Sequence, residues 1–452
     1  MSAAALYAAV WRWHFIAGLL VLPFLILLAT TGALYLFKDE LDALIYRSWD
    51  AVPAQSKPRL PAQAIASSVA AATAGEVLQI TMPESDARAL RMVVRLPDGE
   101  PRSAFVDPYD GHVIGLAHYG GVMQVVRKLH SLQYFGPVAS WLIEMAAGWA
   151  ILLVLSGLYL WWPRGQDGGV LTVRGAPRQR VFWRDVHAVT GILAGAVVLF
   201  LGVTGMPWSD VWGGKVQEMA AVSGLGRPAP PAEVVPDWEL EKAQPAAAHQ
   251  HHESPAPQSL WALEKAAPPH SAHTAASVPI DVDAAQAVLA RAGLPRPYNL
   301  TLPRGPRGAY MATYSPSRVE DVRVVYLDQY TGAVLDDVGF ARFGPAAKAI
   351  EWGIAVHQGQ EYGPLNRYLM LFGCLAIVVL AVSAITMWWK RRPPASLGVP
   401  PRPANPRVVR GLIAIMVPIG LFYPLVGLSF IVALTLERAA ALVSRFGLHA
   451  AK

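Results

Sequence analysis

Four of the twelve histidines stand at matching places in an internal repeat. Histidine is costly at membrane depth unless it has a partner, and four in matching places are candidate metal ligands. His130 opens the stretch LHSLQYFGPVASWLIEMAAGWAILLVLSGLYLWWP, residues 129–163, and His357 holds the same place in VHQGQEYGPLNRYLMLFGCLAIVVLAVSAITMWWKRRP, which begins at Val356. At a constant offset of 227, Gly136-Pro137 matches Gly363-Pro364, Ser156 matches Ser383, and Trp161-Trp162 matches Trp388-Trp389. A second pair lies upstream of these. His14, in WRWHFIAG, and His187, in WRDVHAVTG, each precede a glycine by four, Gly18 and Gly191, and stand equally far before Thr31-Gly32 and Thr204-Gly205. The chain is a tandem duplication.

The elements that must position these histidines are apolar helices. Of 452 residues 54% are hydrophobic and only 15% charged, with 15 tryptophans, which is too apolar for a water-soluble domain. Spans are expected at 10–37, 138–162, 187–208, 365–389 and 411–436, each long enough to cross a bilayer. The first is long for a cleaved signal peptide and has an internal copy, so it reads as a retained span. Arginine and lysine collect in 163–186 and 390–410, including Arg174, Arg184, Lys390 and Arg391, which puts both loops and the amino terminus in the cytoplasm. Segments 38–137 and 209–364 then lie on the other face, the periplasm of a bacterial inner membrane. Each contains a helix-like run, 61–74 or 282–292, before a strand-turn-strand, AFVDPYDGHVI from Ala104 or VYLDQYTGAVL from Val325. Between the two modules, 224–279 is a linker rich in Pro, Ala and His. The expected fold is an α-helical integral membrane bundle of duplicated helix pairs plus a fifth span, carrying two small α+β modules. The single cysteine, Cys374, falls in the fourth span and excludes an intramolecular disulfide.

Spans 1 and 3 run outward, so His14 and His187 share one level near the inner face. Spans 2 and 4 run inward, so His130 and His357 share a level near the outer face. Parallel repeats are related by an axis along the membrane normal, which brings equivalent residues face to face. Two facing imidazoles per level make a bis-His site, and haem iron needs only two protein ligands where zinc or copper draws three or four. Gly18 and Gly191 leave room on the same helix faces for a flat macrocycle. A lone histidine at such a depth is better read as an interfacial residue; four in duplicated pairs favour ligation. Two haems stacked across the bilayer make a path for single electrons. Neither inner loop is long enough for a flavin or nicotinamide domain, so the donor is a cytoplasmic reductase or a membrane quinol. Glu144 is the one carboxylate well inside a span, a proton route or a hydrogen-bonded structural group.

The F-V-D-x-Y-x-G-x-V hairpin resembles the PepSY module, and the histidine-headed spans ending in Trp-Trp resemble the PepSY-associated transmembrane family over roughly residues 10–392. The resemblance implies two PepSY-like periplasmic modules, 38–137 and 280–340, and an inner-membrane di-haem b-type reductase of ferric siderophore or another ferric chelate that releases Fe(II). His14, His187, His130 and His357 would be the axial ligands of the haem irons. Tyr109, His112, His118 and Tyr330 would be candidates for the substrate surface. Membrane lipid is the surrounding partner and no nucleic acid is expected. Two other classes stay open: a PepSY membrane protein that binds a periplasmic ligand or protease without catalysis, and a metal-handling transporter that uses the linker histidines.

Overall fold

The structure is a computed structural model that describes residues 3–85, 87–165, 168–223, 225–226, 269–271, 278–394, 397–401 and 406–449. The expected linker, 224–279, with His249, His251, His252 and His273, lies almost wholly outside the described residues.

Among the described residues four helices are long and apolar enough to cross a membrane: α1 (Ala3–Tyr35) and, further along the chain, Pro137–Trp161, Arg180–Gly205 (extended by a 3-10 turn to Trp208) and Gly363–Arg391. Between the first two come α2 (Lys38–Ile45), α3 (Arg47–Asp50), α4 (Ala62–Thr73), strands β1 (Glu76–Met82), β2 (Leu90–Arg95), β3 (Pro101–Val106) and β4 (Val113–His118), and α5 (Gly121–His130). The second and third long helices are α6 and α7. After α8 (Trp212–Val222), the second half repeats the first with α9 (Val282–Arg291), β5 (Tyr298–Thr301), β6 (Ala309–Tyr314), β7 (Arg323–Asp328), β8 (Val334–Gly339) and α10 (Pro345–His357). The fourth long helix is α11. It and α6 begin alike: a glycine with positive φ, Gly136 or Gly363, turns the chain, and the next proline sits in the first turn, where its missing N–H costs nothing.

The two expected modules are one domain. Their strands form a single antiparallel sheet in the order β4-β3-β2-β1-β5-β6-β7-β8, joined where β1 pairs with β5. Across that seam Thr81 Oγ1 donates to Asn299 Oδ1 at 2.7 Å and Gln79 Nε2 donates to Thr301 Oγ1 at 3.1 Å. Strand alternation sends Ile80, Met92, Val94, Ala104, Leu300, Ala312 and Leu327 to one face, where they form a core with Ile65 and Val69 of α4 and Leu289 of α9. Asp283 of α9 accepts the N–H groups of Ala62 and Gln63 at 2.7 and 3.1 Å, so one half caps a helix of the other. The opposite face, with Gln79, Thr81, Arg91, Ser103, Asn299 and Thr313, is polar and looks toward the long helices.

The Asp-x-Tyr-x-Gly motif is turn chemistry. Asp107 accepts from Tyr109 N–H at 2.8 Å, and Asp328 accepts from Tyr330 and Thr331 N–H, both at 2.9 Å, while Gly111 and Gly332 take the positive φ that closes each hairpin. Asp328 is buried. Asp328→Ala leaves two backbone donors without their acceptor and is expected to cost about 1–3 kcal/mol locally. Hydrogen exchange in β7 and β8 should accelerate by about one to two orders of magnitude, with no change in the long helices. Equal protection in wild type and variant would refute this account of the motif.

Two further expectations are corrected. The fifth span, 411–436, is not one helix. The chain turns at Tyr423, between α12 (Pro406–Phe422) and α13 (Pro424–His449), because the residue before a proline avoids the helical conformation. The two arms come so close that a Cβ on Gly427 would lie 2.6 Å from the Gly420 carbonyl. Val426 fills the notch at Gly148 of α6, and Trp149 donates to Ser429 Oγ at 2.9 Å. Secondly, His130 and His357 do not head their spans. They end the separate helices α5 and α10, several residues before the Gly-Pro turns.

Candidate functional site

The long helices form a ring in which α1 and α7 each pack against both α6 and α11. His14 and His187, on α1 and α7, meet near the loop end of the ring, with ring centroids 6.4 Å apart and planes 86° to one another. His130 and His357 are carried in at the sheet end by α5 and α10, near enough that a charge on one would disfavour a charge on the other. Along α1 the step from the level of His14 to that of Thr31 is 17 residues, or about 25 Å of helix. The duplicated histidines therefore form two pairs near opposite ends of the ring.

Every one of the four rings is held through Nδ1 by a hydroxyl from its own repeat. His14 bonds Ser156 Oγ of α6 at 2.8 Å, and His187 bonds Ser383 Oγ of α11 at 3.0 Å and the Leu380 carbonyl at 3.1 Å. His130 bonds Thr31 Oγ1 of α1 and His357 bonds Thr204 Oγ1 of α7, both at 2.8 Å. Nε2 of each ring has no hydrogen-bond partner among the described residues. Burial pushes His130 down to about 4, and burial with the neighbouring His130 does the same to His357, so both are neutral near pH 7. Small residues flank the rings. A Cβ on Gly157 would stand 3.3 Å from His14 Cε1, and one on Gly32 or Gly205 would stand 3.6 Å from His130 or His357 Cε1. Gly18 and Gly191, expected to leave space, do line the cavity.

All four histidines border one continuous cavity of about 2170 Å³. At the loop end it is edged by Trp11, Arg184 and Arg391, the last stacked on the Trp11 and Phe15 rings. At the other end it widens beneath the polar face of the sheet. There the buried Thr313 hydroxyl has no hydrogen-bond partner among the described residues. Cys374, a buried free thiol, lies on the same wall opposite Gly32.

The other expected residues divide. His118 lines the cavity and accepts from Arg102 at 3.2 Å. Tyr109 packs with Phe105 and Tyr46 away from it, Tyr330 donates its hydroxyl to the Pro306 carbonyl, and His112 is exposed beyond the turn. Glu144 borders the cavity, but both its oxygens accept backbone N–H groups, from Val211 at 3.0 Å and Trp212 at 3.2 Å, at the start of α8. Of the two roles open to it, this geometry supplies the structural one. Trp161 and Trp388 donate to loop carbonyls nine residues on, while Trp162 and Trp389 are exposed. Among the described residues no three His, Cys, Asp or Glu side chains converge on one point, so they build no closed zinc-type centre.

The residues that sequence reasoning missed are the four hydroxyls. Their signal was present, since Ser156/Ser383 and Thr31/Thr204 recur at fixed distances from the histidines. No protein with a curated description matches the chain. The model of the PepSY-associated TM region family matches residues 11–391, nearly the whole chain, and with four helices fit to span a bilayer this multi-pass membrane protein belongs to that family.

Proposed function

We propose that the chain is a di-haem b-type reductase of the bacterial inner membrane, its amino terminus in the cytoplasm and its sheet domain in the periplasm, that passes single electrons to an external ferric chelate such as a ferric siderophore. The observation that carries this reading is the pair geometry. With about 2 Å of metal–nitrogen bond and roughly 1.2 Å from nitrogen to ring centre on each side, two imidazoles on one iron have centroids about 6.4 Å apart. His14 and His187 stand at 6.4 Å. A cavity of about 2170 Å³ holds more than two ligand sites of ordinary size, about 300–1,000 Å³ each, which leaves a vestibule above the sheet-side pair.

His14 with His187 and His130 with His357 would hold the two groups, and bound there they supply one-electron transfer across the bilayer. The chain's own contribution is placement and exclusion of water. Packed apolar walls keep solvent from the loop-side pair, Gly157 lets His14 approach its wall, and α5 and α10 bring the second pair to the floor of the vestibule. Gln79, Asn299, Thr313, Arg91 and Arg102 offer a polar and cationic roof to an oxygen-rich chelate. Iron enters as substrate: Fe(III) gains one electron to become Fe(II), and hard oxygen donors hold Fe(II) less tightly. The electron comes from a cytoplasmic reductase or a membrane quinol.

The test is the absorption spectrum of the purified chain before and after dithionite. Sharp bands of a six-coordinate b-type haem are expected on reduction. A colourless protein from haem-replete cells would remove the reading and favour a ligand-binding role for the sheet.

A further inference from the structure

The hydrogen bonds at the histidine rings decide which ring nitrogen carries the proton. A serine or threonine hydroxyl has one hydrogen to give. Each of the four spends it on its own helix: Thr31 on the Leu27 carbonyl at 2.6 Å, Ser156 on Leu152 at 2.6 Å, Thr204 on Phe200 at 2.7 Å and Ser383 on Leu380 at 2.9 Å. Toward the imidazole each hydroxyl can then only accept. At His187 the same answer comes twice, because the Leu380 carbonyl, 3.1 Å from Nδ1, has no proton at all.

We propose that Thr31, Ser156, Thr204 and Ser383 are positioning residues that hold the four histidines in the Nδ1-protonated tautomer, so that each ring turns an unprotonated Nε2 toward the cavity. The opposite tautomer would require each hydroxyl to leave its helix carbonyl, and would aim an N–H at the cavity with no described acceptor. Back-bonding of serine or threonine to its own helix is common and by itself only satisfies the hydroxyl. Here it recurs four times, each time with a histidine ring 2.8–3.0 Å from the same oxygen. A ligating histidine whose other nitrogen donates to a fixed acceptor is oriented and made more basic. The use of the tautomer as an iron ligand rests on the haem reading; the tautomer itself does not.

Two measurements on the full chain separate these. The first is a redox titration of the haem-loaded protein with Ser156→Ala, Thr31→Val and the conservative Ser156→Thr. Loss of the acceptor makes the ring a poorer donor to ferric iron, so Ser156→Ala should raise the midpoint potential of one haem and Thr31→Val that of the other. Ser156→Thr should restore the wild-type value. Two haems at unchanged potentials in both deletion variants would overturn the proposal while leaving the haem reading intact. The second is the nitrogen-15 spectrum of histidine-labelled wild-type protein prepared without haem. With the resonances of His14, His130, His187 and His357 assigned by loss of signal in single replacements, protonation of these four at Nδ1 supports the proposal and protonation of them at Nε2 overturns it. If the chain never binds haem, this spectrum still decides the tautomer.

Discussion

His187→Ala is expected to halve the haem content, from two b-type haems per chain to one, by a pyridine haemochrome assay. His14 and His187 face each other at 6.4 Å, and on the haem reading removing either would leave the iron with one protein ligand. His14→Ala should therefore leave the same residual spectrum and potential as His187→Ala. His130→Ala and His357→Ala should leave the complementary one, because their shared site lies about 25 Å further along the helices. Both haems should leave the protein in acid acetone, since the chain's single cysteine, buried on the cavity wall, offers no Cys-x-x-Cys-His for covalent attachment. A His14 variant indistinguishable from a His130 variant would refute the pairing, and one haem per wild-type chain would refute the count.

The second large effect concerns where electrons leave. On the proposed function a ferric siderophore, too large and polar to enter the bundle, would meet the vestibule beneath the sheet, next to His130 and His357. In stopped-flow mixing of dithionite-reduced protein with ferric siderophore, His130→Ala should abolish the fast loss of the reduced band. His14→Ala should retain that fast phase at half the amplitude, and lose turnover driven from the cytoplasmic side. A His130 variant that delivers electrons at the wild-type rate would show that direction and exit are both wrong.

The helices at the centre of these expectations were legible because an apolar run of about 25 residues has few other uses. His130 and His357 were legible because the offset of 227 holds through six landmark residues without a gap, and His14 and His187 because each keeps the same distance to its glycine and to its Thr-Gly. Three features could not be read in the same way. Ser156 and Thr31 stood out as landmarks, but that they reach a ring on another helix depends on how the helices are rotated, which an apolar sequence leaves open. α5 and α10 are too short to announce themselves beside a span, so His130 and His357 were placed just ahead of the long helices without the separate helices that carry them. The β1–β5 seam joins residues more than 200 positions apart, beyond any local pattern. The break in the expected fifth span was legible in Pro424, yet unbroken hydropathy on both sides outweighed it.

The order of the sheet has one more consequence. Read from either edge it is the same sequence of equivalent strands, and the seam at its centre is antiparallel, which is the arrangement of an isologous dimer about a two-fold axis. Within each half the hydroxyls orient that half's own imidazoles, while each facing pair takes one imidazole from each half. A polypeptide of half this length would thus arrive with its imidazoles already oriented and gain a facing pair only on meeting its twin. In the present chain the loop between α6 and α7 makes that meeting intramolecular, so pairing of the imidazoles no longer depends on protein concentration.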